Sequence, residues 1–251
     1  YCIYASSENA AMRHITRFVT HDPVTILKKL HKPPLMIVPQ MEAYRAASES
    51  PAQVMTRQQA GYLEIFEHEK DPWKIQAEMI ARVSDGPYLV PPDFPTALAR
   101  ALEVHNTVIV DSASLLSAPR AIKTPDEVRW ITRAQRAAEA AMDTAINRIR
   151  TSDIRSGVLW YDDKPLTSDL VRYEMNKTML AHGCTADDTI VSCGEETAIP
   201  HCPGSGELKA HEPIVIDVFP RDTKTGYHAD MTRTISRGEP SGKVIELYNT
   251  V

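Results

Sequence analysis

A single apolar stripe through the middle of the chain limits most of what it can become. Val128, Ile131, Ala134, Ala138, Met142, Ala145 and Ile149 recur at steps of three and four, the spacing that lines one face of a helix. Thr124-Pro125-Asp126-Glu127 supplies the start. Thr can cap, Pro at the first helical position gives up an N–H that has no partner there anyway, and the acids complement the helix dipole. The other face carries Arg129, Arg133, Arg136 and Glu139, which reads as a solvated surface. A second helix is expected from Thr167-Ser168-Asp169 to about His182, with Gly183 as its stop. From residue 189 the texture changes to strands, expected at 189–193, 213–219 and 227–235 between turns rich in glycine and proline. Helices followed by strands imply an α+β domain.

The first half reads differently. Strands are expected at 3–5, 35–38, 88–90 and 107–110, and helices at 24–30, 41–47 and 96–104. A further helix opens at Asp71-Pro72, with Ile75, Met79, Ile80 and Val83 on its apolar face. Strands alternating with helices imply an α/β domain. The break falls within 112–123, giving an amino-terminal α/β domain over 1–117 and an α+β domain over 118–251. Neither G-x-G-x-x-G nor G-x-x-x-x-G-K-[ST] occurs, so dinucleotide and P-loop readings have no support.

With 251 residues, 43% of them hydrophobic, the chain can bury a sizeable core. The net charge is -5 and no basic run tracks phosphates, which argues against a nucleic-acid partner. No apolar run has the length of a membrane span, and the start shows no signal-peptide pattern. Cys2, Cys184, Cys193 and Cys202 form no C-x-x-C pair, so neither a structural zinc knot nor a disulfide scaffold is expected. They read as reduced thiols of a cytoplasmic protein, inert where buried.

The chemistry concentrates near the end. In I-V-I-D-V-F-P, residues 214–220, Asp217 sits in an apolar run, where a bare carboxylate is costly without a cation or several donors. Asp230 follows in G-Y-H-A-D-M-T-R-T. If the two segments pair as a hairpin, both carboxylates can converge on one face, and two hard oxygen donors suit Mn²⁺, Mg²⁺ or Ca²⁺ and accept Zn²⁺ or Co²⁺. Spacing alone leaves a plainer alternative, in which Asp217 pairs with Arg233 and Asp222 and Asp230 are turn acids. His201, in A-I-P-H-C-P-G-S-G, is a candidate proton donor or oxyanion stabiliser. His228, two residues before Asp230, competes as a ligand or supporting group, and His211 reads as solvent-exposed.

The ordered run A-I-P-H-C-P-G-S-G-E-L-K-A-H-E-P-I-V-I-D, then G-Y-H-A-D-M-T-R-T-I-S-R-G-E-P, resembles the pita-bread (creatinase/aminopeptidase-like) metallopeptidases. R-A-I-K-T-P-D-E-V, residues 120–128, is similar to the start of that family's catalytic domain. M-R-H-I-T-R-F and L-M-I-V-P-Q-M-E resemble, more loosely, the amino-terminal domain of Xaa-Pro peptidases and creatinases. The resemblance implies an α/β amino-terminal domain followed by the first part of an α+β pita-bread domain, incomplete in this chain, and cleavage of Xaa-Pro bonds at peptide amino termini by a metal-activated hydroxide. It implies a two-metal site holding two divalent ions, Mn²⁺ first with Co²⁺ or Zn²⁺ as alternatives. Asp217 and Asp230 would be its first two ligands and Asp230 would bridge. It implies His201 near the scissile amide, and Thr232 and Thr234 orienting carboxylates or bound water. The substrate would be a proline-containing peptide and the assembly a homodimer.

Two departures qualify this. The family's remaining ligands, one His and two Glu, lie further along than Val251, so the chain is expected to hold two of five and to be inactive alone. Asp217 and Asp230 are also separated by more residues than the family pattern, with 222–224 as an enlarged hairpin tip. A creatinase-like amidinohydrolase and a non-catalytic peptidase-like binding module are the rival readings, and the retained aspartates weigh against both.

Overall fold

The computed structural model describes residues 1–250. They divide between Ile122 and Lys123 into two compact units, against an expected boundary after 117.

The first unit runs β1 (Cys2–Ala5), α1 (Ala10–Thr16), β2 (Val24–Leu27), β3 (Leu35–Val38), α2 (Ala43–Glu49), β4 (Gln53–Thr56), α3 (Tyr62–His68), α4 (Pro72–Val83), β5 (Tyr88–Val90), α5 (Thr96–Glu103), β6 (Val108–Val110) and α6 (Ser117–Ala121). Four strands form a sheet in the order β1-β2-β3-β4, antiparallel except for β3 with β4, and β5 pairs β6 in parallel. Alternate residues of β3 enter two cores. Met36 and Val38 pack with Met12, Phe18 and Ile26, whereas Ile37 packs with Ile65, Ile75, Met79 and Leu98. A sheet covered on both faces needs unbroken apolar strands, which is why C-I-Y-A, V-T-I-L and L-M-I-V lack polar alternation. The same property defeats the expectation of a helix at 24–30. Residues 24–27 are β2 and all four are buried. A short apolar run has no decisive period, although its β-branched Val24-Thr25-Ile26 favours a strand. Thr25 stays satisfied in the core because Gln76 Nε2 donates to its hydroxyl at 2.7 Å. Asp71 caps α4 as expected, accepting from the backbone N–H groups of Trp73 and Lys74.

The second unit begins with α7 (Pro125–Thr151), capped by Thr124 in a reciprocal box with Glu127. The backbone N–H of Glu127 donates to Thr124 Oγ1 at 3.3 Å, and that of Thr124 to Glu127 Oε2 at 2.7 Å. Then follow β7 (Asp153–Arg155), β8 (Val158–Tyr161), β9 (Lys164–Pro165), α8 (Ser168–Ala181), β10 (Cys184–Thr185), β11 (Ile190–Cys193), β12 (Ile214–Val218), β13 (Arg221–Asp222), β14 (Met231–Ile235) and α9 (Gly242–Thr250). The strands of 153–165 were not expected. They are short and mostly polar, and their hairpin turns use positive φ at Ser156-Gly157 and Asp162-Asp163, the backbone that two-residue turns require.

Helices α7 and α8 pack against one side of the antiparallel sheet β11-β12-β14. The stripe on α7 shifts from the expected one. Ala134, Ala138, Met142, Ala145 and Ile149 are buried, Ala137 and Ala141 join them, and Val128 is half-exposed. The buried face of α7 is thus built largely of small side chains, against which α8 packs. Arg133 also departs from the solvated face assigned to it, because its guanidinium reaches the buried Asp222. The strand expected over 227–235 begins only at Met231, preceded by a single bridge between Arg221 and His228. Among the described residues no helix is long and apolar enough to cross a membrane.

Thr124→Ala removes one half of the α7 box. It should lower unfolding stability by about 1 kcal/mol, read as a shifted denaturant midpoint with an unchanged slope.

Candidate metal centre

Strand β12 alternates strictly. Ile214, Ile216 and Val218 are buried in the helix-facing core, while Val215 and Asp217 point to the other face and are half-buried. Register sets what Asp217 meets. It lies opposite Thr232 of β14 on one side and Ile190 of β11 on the other. Directly opposed residues share a face, and Thr232 Oγ1 donates to Asp217 Oδ1 at 2.5 Å. Asp230 sits two residues before Thr232, just ahead of the strand. It is exposed. The pairing expected of the two segments therefore exists, with Asp217 inside it and Asp230 one residue ahead of it.

The plainer alternative of an ion pair fails. Arg233 lies opposite Ile216, of the other parity, and its guanidinium donates to the backbone carbonyl of Thr232 at 2.7 Å. Among the described residues neither Asp217 nor Asp230 forms an ion pair. Thr232 orients a carboxylate as the resemblance implies, whereas Thr234, opposite Val215, makes no such bond.

His201 lies on the other side of β11. The backbone N–H of Val191 donates to Pro203 O at 3.0 Å, so the loop after His201 occupies the outer edge of that strand. Arg172 of α8 holds the loop by donating to the carbonyls of Pro203 and Gly204, the latter at 2.9 Å. Gly204 is obligatory here. Its φ is +77°, and a Cβ would stand 1.9 Å from the Val191 carbonyl oxygen. His201 itself is exposed, in the left-handed region at φ 62°, where histidine is among the commoner non-glycine residues. Across the sheet the order is thus the His201 loop, β11, Asp217 on β12, and Asp230 at the head of β14.

Residues 222–224 do fall at a hairpin tip, as expected, and Asp222 ties that tip down. Its side chain is fully buried. Oδ1 accepts from the backbone N–H groups of Lys224 and Thr225 at 3.0 and 2.8 Å and from Thr225 Oγ1 at 3.0 Å. Arg133 Nη2 stands 2.9 Å from Oδ2, close enough for an ion pair though not aligned as a hydrogen bond. Only the Asp-x-x-Thr spacing hinted at this, since a side chain of that length can accept from the backbone two and three residues on. His211 is exposed as read, yet its ring bonds the Glu239 carbonyl at 3.0 Å. Burial pushes the thiols of Cys184 and Cys193 up, and that of Cys2 up to about 12, so these three are poor nucleophiles at neutral pH.

Asp217 Oδ2 and the Asp230 carboxylate are hard oxygen donors with no hydrogen bond or ion pair among the described residues, the donor chemistry that suits a divalent cation. The fit extends to these two. Among the described residues no group of three or more His, Cys, Asp or Glu is placed to hold a metal.

Residues 129–251, within the second unit, match the model of metallopeptidase family M24. An uncharacterized peptidase of Staphylococcus aureus is 30% identical over 133 residues, 53% of this chain and 34% of the relative. The chain thus spans about a third of the length of the curated relatives it matches. The fold is that of the pita-bread peptidases with an α/β domain ahead. The prolidase from Pyrococcus furiosus superposes with a TM-score of 0.74 at 19% identity, covering 100% of this chain and 65% of its own. The Xaa-Pro dipeptidase from Bacillus anthracis gives 0.75 at 21%, covering 100% and 64%. The X-Pro aminopeptidase from Thermotoga maritima gives 0.72 at 20%, covering 100% and 66%.

Thr232→Val keeps the shape of β14 and removes the donor to Asp217. Partners that orient a ligating carboxylate are worth roughly 10- to 100-fold in metal affinity, so calorimetric titration of the intact protein with Mn²⁺ should show a loss of that size. Gly204→Ala should disorder the His201 loop while sparing the α7–α8 core, seen as faster amide exchange confined to 199–206.

Proposed function

We propose that the protein is a metal-dependent exopeptidase that cleaves the Xaa-Pro bond at the amino terminus of dipeptides or short peptides. One observation supports the reading: in the segment that matches family M24, β12 pairs with β14, Thr232 donates to Asp217, and Asp230 lies one residue ahead of β14. The fold shared with prolidases and an X-Pro aminopeptidase supports the choice of bond.

Asp217 and Asp230 would hold part of a pair of divalent ions, Mn²⁺ first and Co²⁺ or Zn²⁺ as alternatives. Bound divalent ions would lower the pKa of a water and polarise the scissile carbonyl. The chain's own residues do the rest. Thr232 keeps one oxygen of Asp217 occupied, which leaves the other to face outward. His201, on a loop tied to β11 and α8, would donate a hydrogen bond to the carbonyl oxygen as negative charge develops there. A proline nitrogen offers no N–H for recognition, so a dedicated peptidase is needed for such bonds. The one His and two Glu that complete the family's site are not brought to these aspartates by the described residues. We therefore expect residues 1–250 alone to be inactive. A cytoplasmic homodimer belongs to the same proposal.

The intact protein loaded with Mn²⁺ should release the first residue from Ala-Pro and from longer Xaa-Pro peptides, and leave creatine untouched. Asp230→Ala should abolish both hydrolysis and Mn²⁺ uptake. If all Xaa-Pro peptides survive incubation with the metal-loaded protein, the proposal is wrong, and creatine turnover would redirect it to amidine hydrolysis.

A further inference from the structure

Asp217 and Asp230 are thirteen positions apart, and the connection between them is long enough to wander. It does not. Three residues of α7, one helical turn apart in succession, face it. Glu127 Oε1 accepts from the Tyr227 hydroxyl at 2.6 Å. The ring of Trp130 lies against that of Tyr227, with centroids 5.4 Å apart. Arg133 meets Asp222 at 2.9 Å. Glu127 is 3% exposed and Asp222 not at all, so two carboxylates have been taken out of water to make these contacts. Short strand β13 adds a backbone tie, pairing Asp222 with Cys184 and Arg221 with Thr185.

A stabilising tie alone would not call for this chemistry. Asp222 is buried while Arg133 is half exposed, and a compensated buried carboxylate fixes the segment that carries it, because any other placement leaves the charge unpaired. Both ends of the clamp fall between the candidate ligands, five residues after Asp217 and three before Asp230. Asp217 needs no such help, because it lies within a paired strand. Asp230 lies just outside β14 and depends on whatever holds the chain leading into it.

We infer that Glu127, Trp130 and Arg133 of α7 are positioning residues, which grip the β12–β14 connection at Tyr227 and Asp222 and so set where Asp230 presents its carboxylate to a divalent cation. The inference rests on the metal-site reading above for its consequence, and on contacts in this unit for its geometry.

The test uses the intact protein with three substitutions, Arg133→Met, Arg133→Lys and Tyr227→Phe, and three readouts: amide exchange over 221–230, Mn²⁺ affinity by calorimetry, and kcat and KM on Ala-Pro. Arg133→Met should speed exchange in that segment, weaken Mn²⁺ binding by roughly 10- to 100-fold, and lower kcat with little change in KM. Arg133→Lys should recover most of both. Tyr227→Phe, which removes one hydroxyl and should fold, should move all readouts the same way by less. Unchanged exchange in a folded Arg133→Met or Tyr227→Phe protein overturns the inference, whatever the metal does. So does faster exchange with metal affinity and kcat left intact. If the parent neither takes up Mn²⁺ nor cleaves Ala-Pro, the functional reading fails, and the exchange data still decide whether α7 holds the connection.

Discussion

The pairing of β12 with β14 is the constraint on which the rest of the second unit depends. A strand has two faces, and slipping its register by one residue exchanges them. Here a slip would carry Ile214, Ile216 and Val218 out of the core along with turning Asp217 inward. Burying each such side chain is worth roughly 1.5–3 kcal/mol, so the hydrophobic face enforces the polar one. The carboxylate is aimed by aliphatic packing on the far side of the sheet, and Thr232 refines the aim.

The treatment of acids sorts them by role. Asp111 is buried and takes hydrogen bonds from the Tyr1 hydroxyl and the Leu115 backbone. Glu127 is buried between Tyr227 and its own cap. Asp222 is buried among three donors and an arginine. Each follows the rule that a carboxylate removed from water must be compensated. Asp217 and Asp230 do not share this pattern. Asp217 is half-buried on the strand and Asp230 is exposed just ahead of β14, and both keep acceptor capacity that the fold itself does not use.

Local signals were legible where one short-range force dominates. The cap of α7 is written in Thr124-Pro125 and Glu127, the stop of α8 in Gly183, and the start of α4 in Asp71-Pro72. Order of motifs also carried the likeness to family M24 and the pairing of the two segments that hold Asp217 and Asp230. What failed depended on distant partners. Residues 24–27 look helical until a second layer covers the other side of the sheet. Arg133 looks solvated until Asp222, far along the chain, arrives beneath it, and Asp222 itself reads as a turn acid for the same reason. The strands between 153 and 165 are too short and polar for their period to show. In each case the deciding interaction joins segments that sequence distance keeps apart.

The close approach of Gly204 to the Val191 carbonyl bears on how this site can change over generations. Side chains on either side of it can vary in size and charge at modest cost, because the loop runs along the rim of the sheet. The glycine cannot vary, since any added carbon lands on backbone that has nowhere to go. Drift should therefore redesign the side chains of the loop while its path along β11 stays constant, held by a position with no chemistry of its own.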